Sequence, residues 1–326
     1  MTTFLARSDD LTAIRFARSP VWETLNAVRL FKDPRGRPYH REWLARAARA
    51  TRALDLAPLL AVNPLRGSVP DFLTPPPRTP APKITDQLRE IRATPPAQVA
   101  GELDRCRATL AGQSREQVTG MLADPEGTRE ALASLVEQAW HLLIAPSWAA
   151  IEALLDADVA YRSRQLANSG LRWVIEGLHE KVSMDERGVH VADRFQGTVS
   201  LAGRGLVLMP SAFTWPAIAV VTDEPWQPTI AYPARGIAAL WERPPPAPEA
   251  LVKLLGRTRA TLLAGLDRPA STTALAQRHS MSPAGASRHL IALRNSGLVT
   301  GSRHGHEIRY ARTRLGTELT RSGGFG

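Results

Sequence analysis

The stretch from Ser271 to Tyr310, STTALAQRHSMSPAGASRHLIALRNSGLVTGSRHGHEIRY, decides how the C-terminal part of the chain is expected to fold. Ser271 is an N-cap type ahead of a short helix in which Leu275 and Ala276 face inward and Gln277 and Arg278 stay wet. His279, Ser280 and Met281 make a turn. Ser282 followed by Pro283 joins a capping hydroxyl to a residue pre-set for the first helical position, so a second helix is expected to begin at Pro283. Ala286, Leu290 and Leu293, spaced four and three apart, give that helix its buried stripe. Asn295, Ser296 and Gly297 end it, with Gly297 supplying the left-handed residue that side chains resist. Leu298 and Val299 then start a strand, residues 301–307 form a turn-rich tip, and Ile308 and Tyr310 are expected to point inward around an outward Arg309.

Helix, turn, helix and a basic two-stranded ribbon, in that order, point to duplex DNA as the partner. The exposed start of such a helix can enter the major groove while a cationic hairpin lies beside it. The contact is assigned to Ser282, Ala284, Gly285, Ser287, Arg288 and His289 on the helix, and to Arg303, His304 and His306 on the ribbon. Small side chains at 284, 285 and 287 let the backbone approach base edges. Arg288 can pair bidentately with a guanine or clamp a phosphate, and both roles stay open. His289 either orients on the backbone or packs. His304 and His306 share a strand face, but two ligands are too few for a metal site, so phosphate contact is preferred for them.

Ser287-Arg288-His289-Leu290, Leu293, Ser296-Gly297-Leu298-Val299 and the hairpin ending in Tyr310 resemble the ArsR-type winged helix-turn-helix regulators. The likeness covers roughly the last quarter of the chain, including an expected helix from Glu249 to Leu266 with Leu251, Leu255, Leu262 and Leu266 on one side. The resemblance implies a homodimeric transcriptional regulator that reads an inverted-repeat operator, many members releasing DNA when an effector binds. It departs from the metal-sensing members, whose paired cysteines are absent here; a closing dimer helix is expected to be short or missing. The stretch Leu11–Leu30, with Arg15-Phe16-Ala17, Ser19-Pro20 and Trp22-Glu23-Thr24, further resembles actinobacterial regulators that carry an N-terminal domain of unassigned function before such a reader.

The charge distribution supports the DNA reading without any family. The 326 residues hold 41 basic and 31 acidic side chains, a formal net of +10, and from Glu249 onward Lys and Arg number 12 against 4 Asp and Glu. A polyanion partner is therefore implied for the C-terminal part alone, with salt-sensitive binding as the consequence.

The clearest seam is Pro244-Pro245-Pro246-Ala247-Pro248, which interrupts helix and ladder alike. The expected domains are 1–243, a helical domain with a small antiparallel sheet that dimerises, senses or does both; 244–248, a linker; and 249–326, the winged helix. The fold class expected is α+β, predominantly α. In the first domain a short edge strand at Phe4-Leu5 precedes a helix capped by Ser8 and running through Phe16. Helices follow from Ser19-Pro20, over Glu42–Leu54, Ile84–Ile91, Pro96–Leu110, Thr128–Ile144 and Pro146–Leu166, separated by a proline-dense loop over 58–82. From Val189 to Leu240 short apolar runs alternate with Gly and Pro turns and read as the sheet. Gly205–Thr222 approaches membrane-spanning length, but Pro210 and Pro216 divide it into two strands, and no membrane partner is expected.

All eight tryptophans precede the seam. Trp22, Trp43, Trp140, Trp148 and Trp173 fall on helical segments and are read as core, a flat-ligand pocket being the alternative. Cys106 is the single cysteine, so no internal disulfide is possible, which together with the absence of a signal peptide points to the cytoplasm. Between Arg105 and Arg107 it is either a redox-sensitive thiol or, as its helical setting favours, a packed one.

No catalytic set is found. His179-Glu180 lacks the second histidine of a zinc helix, Gly203-Arg204-Gly205 lacks the third glycine of a dinucleotide turn, and Asp9-Asp10 suits a helix start. No enzyme activity, cofactor or metal is expected. The sequence thus reads as a cytoplasmic, homodimeric, sequence-specific transcriptional regulator, a repressor controlled through its N-terminal domain by a small-molecule effector. The alternative is a structural or chromosome-associated DNA binder with weak sequence preference.

Overall fold

The computed structural model describes residues 1–34, 38–192, 197–241, 247–267, 269–279, 281–304 and 307–322. The chain is α+β and mostly helical, and it divides into two compact units, Met1–Trp241 and Glu242–Gly326. Of the expected linker, residues 244–246 lie outside the described residues.

The first unit opens with β1 (Thr2–Leu5), α1 (Ser8–Thr12), β2 (Arg15–Phe16) and α2 (Pro20–Arg29). Helices follow: α3 (Arg41–Ala50), α4 (Ala57–Ala61), α5 (Ile84–Ala93), α6 (Pro96–Ala108), α7 (Gly112–Met121) and α8 (Pro125–Ala139). A π-helical turn over Trp140–Ile144 then leads to α9 (Trp148–Ser169) and α10 (Leu171–Glu176). The unit closes with β3 (Val182–Asp185), β4 (Gly188–Val191), β5 (Gly197–Ser200), β6 (Val207–Ser211), β7 (Ala219–Val221) and β8 (Thr229–Pro233).

Ser19 caps α2 as expected, its side chain accepting the Trp22 N–H at 3.0 Å. The opening residues correct the sequence reading. Helix α1 ends at Thr12 and Arg15-Phe16 is a strand, not a helical continuation. The N-cap position belongs to Arg7, whose backbone N–H is taken by Asp10 Oδ2 at 2.9 Å, while Asp10 Oδ1 takes the Gly203 N–H at 2.7 Å. Asp10 is thus a structural carboxylate joining a helix start to a turn 193 residues away.

The single small antiparallel sheet is replaced by two mixed four-stranded sheets, ordered β3-β4-β1-β5 and β2-β6-β8-β7. In the first, β1 is central rather than an edge, antiparallel to β4 (Thr2↔Val191) and parallel to β5 (Thr2↔Gly197). In the second, β2, β6 and β8 are parallel and β7 is antiparallel to β8. Every residue of β6 is buried, as expected for a parallel strand covered on both faces. The sheets and α10 share a core through Phe4, Val174, Val189, Leu208, Ile230 and Tyr232. A larger core fills the helices, with Leu25, Trp43, Phe72, Leu103, Val136 and Ile151 among its buried members. Trp22, Trp43 and Trp140 are buried, but Trp173 is 65% exposed, because α10 turns Val174 and Ile175 inward instead. No described helix is long and apolar enough to cross a membrane.

The second unit runs α11 (Glu249–Leu255), α12 (Arg257–Ala264), β9 (Ala270–Ser271), α13 (Thr272–Arg278), α14 (Pro283–Asn295), β10 (Val299–His304), β11 (Glu307–Arg312) and α15 (Arg314–Ser322). The single helix expected over 249–266 is broken at Gly256, whose φ of 79° is a left-handed value that ends α11. Strand β11 lies between β10 and β9, giving a three-stranded sheet. Its base is tied to the helices through Arg312 and Thr313. Arg312 donates to the Leu266 carbonyl at 2.8 Å, the Ala264 carbonyl at 3.1 Å and Thr320 Oγ1 at 2.7 Å. The Thr313 hydroxyl accepts the Gly316 N–H at 3.1 Å, capping α15, a short closing helix.

Candidate nucleic-acid interface

Helix α14 is placed by its inner face. Ala286, Leu290 and Leu293 are fully buried, and the core that Leu290 and Leu293 join includes Leu262, Leu263, Leu275 and Tyr310. Its start is fixed by Ser282, whose hydroxyl oxygen accepts the Gly285 N–H at 3.1 Å. That leaves the hydroxyl proton able to donate outward; Pro283 has no N–H and Ser282 takes the Gly285 and Ala286 N–H groups, so the Ala284 N–H and the helix dipole are what favour an anion there. Helix α13 is capped similarly, Ser271 Oγ accepting the Ala274 N–H at 3.2 Å. At the far end Gly297 takes φ 69° and lets the chain turn into β10.

Ser282, Ala284 and Arg288 are exposed, and Gly285, Ser287 and His289 are partly so. Ala284, Ser287 and Arg288 lie on one face, at spacings of three and four. Ile291 continues that face at 40% exposure, and sequence reasoning missed it. Its signal was available: it stands three residues after Arg288 and four after Ser287, where the buried stripe leaves no place for it. An exposed apolar side chain there is suited to a thymine methyl. Arg294 is also exposed, nearer the C-terminal end of α14.

The hairpin pairs Gly301 with Tyr310, Ser302 with Arg309, Arg303 with Ile308 and His304 with Glu307. Arg303 is exposed, as its assigned role requires. Ile308, expected inward, is 46% exposed, whereas Tyr310 is buried at 3%. Both share a face, but Ile308 lies two residues further toward the tip, past the edge of the core. The side chain of His304, and His306 altogether, lie outside the described residues.

The six assigned positions of α14 thus fall at its start and on its outer side, and Arg303 lies on the adjoining hairpin. Small residues at 284, 285 and 287 leave room for close approach, and Arg288 and Arg294 carry positive charge there. Among the described residues no carboxylate forms an ion pair with either arginine.

Comparison with known proteins adds one finding. A model described as a family of unknown function (DUF5937) matches residues 94–238, all within the first unit. The match includes neither Leu11–Leu30 nor any part of the second unit. No curated protein and no solved structure matches the chain.

Proposed function

We propose that the protein is a DNA-binding transcriptional regulator whose second unit acts as a winged helix-turn-helix of ArsR type. In this reading α14 enters the major groove with Ala284, Ser287, Arg288 and Ile291 toward base edges. Ser282 and the Ala284 N–H hold a phosphate, and the β10–β11 hairpin contacts the backbone through Arg303. The observation that carries it is the face of α14. A capped helix start with small side chains, an exposed arginine and an exposed isoleucine stands next to an exposed hairpin arginine, in a segment with threefold more basic than acidic residues.

The protein acts as a homodimer on an inverted repeat and as a repressor, with control arriving through the first unit. Selection of genomic fragments by the purified protein tests this, starting with its own upstream region. An enriched inverted repeat with centres about one helical turn apart is the expected result. Enrichment of no motif would sink it.

The basic charge of the second unit also fits a binder of weak sequence preference. That reading requires equal, salt-sensitive affinity for selected and random duplexes, whereas an operator reader binds its own site at least about a thousandfold more tightly.

A further inference from the structure

The first unit holds a cavity of about 780 Å³, within the size range of small-molecule sites. Part of its wall is one face of α2, on which Trp22, Leu25, Asn26 and Arg29 stand at helical spacings of three and four and all line the cavity. That face has two unlike ends. Trp22 lies in the first turn and Arg29 in the last, about 10 Å apart along the axis. Phe213 and Thr214 meet the Trp22 end, where Trp22 Nε1 donates to Thr214 Oγ1 at 3.3 Å. Trp22, Leu25 and Phe213 are buried, so this end is a packed apolar surface.

The Arg29 end is basic. The Arg29 guanidinium donates to the Pro64 carbonyl, which draws the segment 64–69 to the end of α2 and brings Arg66 into the lining. Gly67 permits that course, with a φ of 125° and no Cβ, which would stand 2.5 Å from Thr109 Oγ1. The same Thr109 oxygen accepts the Ser68 N–H at 3.2 Å and holds the segment in place. Over the whole lining, Arg29, Arg66, Arg105 and Lys181 face only Asp71 and Asp223. Arg105 and Asp223 pair with each other at 3.2 Å. Even with Asp71 counted as charged, the lining carries two positive charges in excess. Among the described residues no carboxylate forms an ion pair with Arg66 or Lys181.

A ligand matched to this cavity has carbon at one end and negative charge at the other. A small inorganic anion would leave the apolar end unfilled. Asp71 in the same lining would repel a second negative charge, so one carboxylate suits the site better than a dianionic phosphate ester.

We infer that this cavity binds an organic monocarboxylate, its carboxylate held by Arg29 and Arg66 and its carbon skeleton laid along α2 toward Trp22, Leu25 and Phe213. Guanidinium forks match a carboxylate in shape as well as charge. No covalent bond changes. The site stands on the cavity and its charges, whether or not the second unit reads DNA.

Calorimetric titration of the full chain with octanoate and indole-3-propionate tests this, with the neutral primary amide of each, acetate and inorganic phosphate as controls. At least one of the two acids should bind at one per chain, at least about tenfold more tightly than its amide, acetate or phosphate. Arg66 is exposed, so Arg66→Gln should melt as wild type does. That variant should bind the acid about tenfold more weakly and the amide as before, and Arg66→Glu should weaken the acid further. Equal binding of acid and amide, acetate or phosphate binding as tightly as the longer acids, undiminished acid binding by Arg66→Gln, or failure of both acids to bind at millimolar concentration would each overturn the proposal.

Discussion

The Arg312 guanidinium donates to the backbone carbonyl of Leu266 at 2.8 Å, fastening the end of strand β11 to the turn that follows α12. The same fork reaches Ala264 O and Thr320 Oγ1, so one side chain joins the hairpin base to two helices. Arg312→Ala removes three charge-assisted hydrogen bonds and leaves helix-terminal carbonyls without their partner. Net losses of about 1.5 to 3 kcal/mol per such bond are usual, and they do not add fully here, so a total of about 2 to 4 kcal/mol is expected. Chemical denaturation of the full chain, followed by a probe in the second unit, measures it. Arg312→Lys should recover only part, because an ammonium cannot match the fork.

Ser282 is expected to have two roles that substitution can separate. Ser282→Ala removes the cap on α14 at a cost of about 1 kcal/mol. Ser282→Asp keeps an acceptor for the Gly285 N–H but sets a negative charge where a phosphate is proposed. Its thermal stability should match wild type while duplex affinity falls by tenfold or more. Undiminished affinity of the aspartate variant would remove the helix start from the interface.

Arg288→Ala and Arg303→Ala should differ in kind. If Arg288 reads a base, its loss costs about 1 to 3 kcal/mol on the selected operator and little on random duplex. Loss of Arg303 should weaken all duplexes alike and lower the salt slope by about one. Equal operator affinity for wild type and Arg288→Ala would contradict the assignment.

Glu23 gives a pH signature to the first unit. Its Oε2 accepts the Ala212 N–H at 3.0 Å, yet burial pushes its carboxyl up to about 8, with the Ser211 hydroxyl and the Ala212 and Phe213 N–H groups pulling the other way. The folded chain therefore holds this proton more tightly than the unfolded chain, whose value is near 4.5. The contribution is fully present below pH 4.5 and declines as pH rises to about 8, by a few kcal/mol at about 1.4 per unit. Urea titrations at pH 5, 6.5 and 8 should show this decline in wild type and a flatter profile in Glu23→Gln. Parallel profiles would refute it.

Cys106 is fully buried in the helical core, and burial pushes its thiol up to about 12, only partly offset by Lys32. The nucleophilic thiolate is therefore scarce at neutral pH. Ellman's reagent at pH 8 should leave the folded protein unmodified and react stoichiometrically in denaturant. Prompt reaction of the native protein would restore the redox reading.

What the sequence disclosed follows from how local each signal is. Ser282-Pro283 and Gly297 were legible because capping and left-handed turns are decided within a few residues, and Ala286, Leu290 and Leu293 because a helix repeats its inner face within two turns. Ile291 could have been read from the same wheel. Gly256 was passed over because one glycine inside an apolar period is compatible with either a continuous or a broken helix. The roles of β1 and β2 were not legible: Thr3 pairs with His190 and Arg15 with Val207, and strands of four and two residues carry too little alternation to announce such distant partners. The cavity was equally hidden. Trp22, Asp71, Phe213 and Asp223 meet there only because the helices and the second sheet close around them.

The place of β1 between β4 and β5 limits how this architecture can be inherited. The stretch 94–238 matched by the family of unknown function contains β4 and β5 but not the strand that joins them, nor β2, nor the Glu23 carboxyl that holds Ala212. Cut out alone, it would expose two ladders of unpaired backbone groups. The segment is therefore not a portable module. Residues 2–5, 188–191 and 197–200 form one hydrogen-bonded unit and must be transplanted, truncated or diversified together.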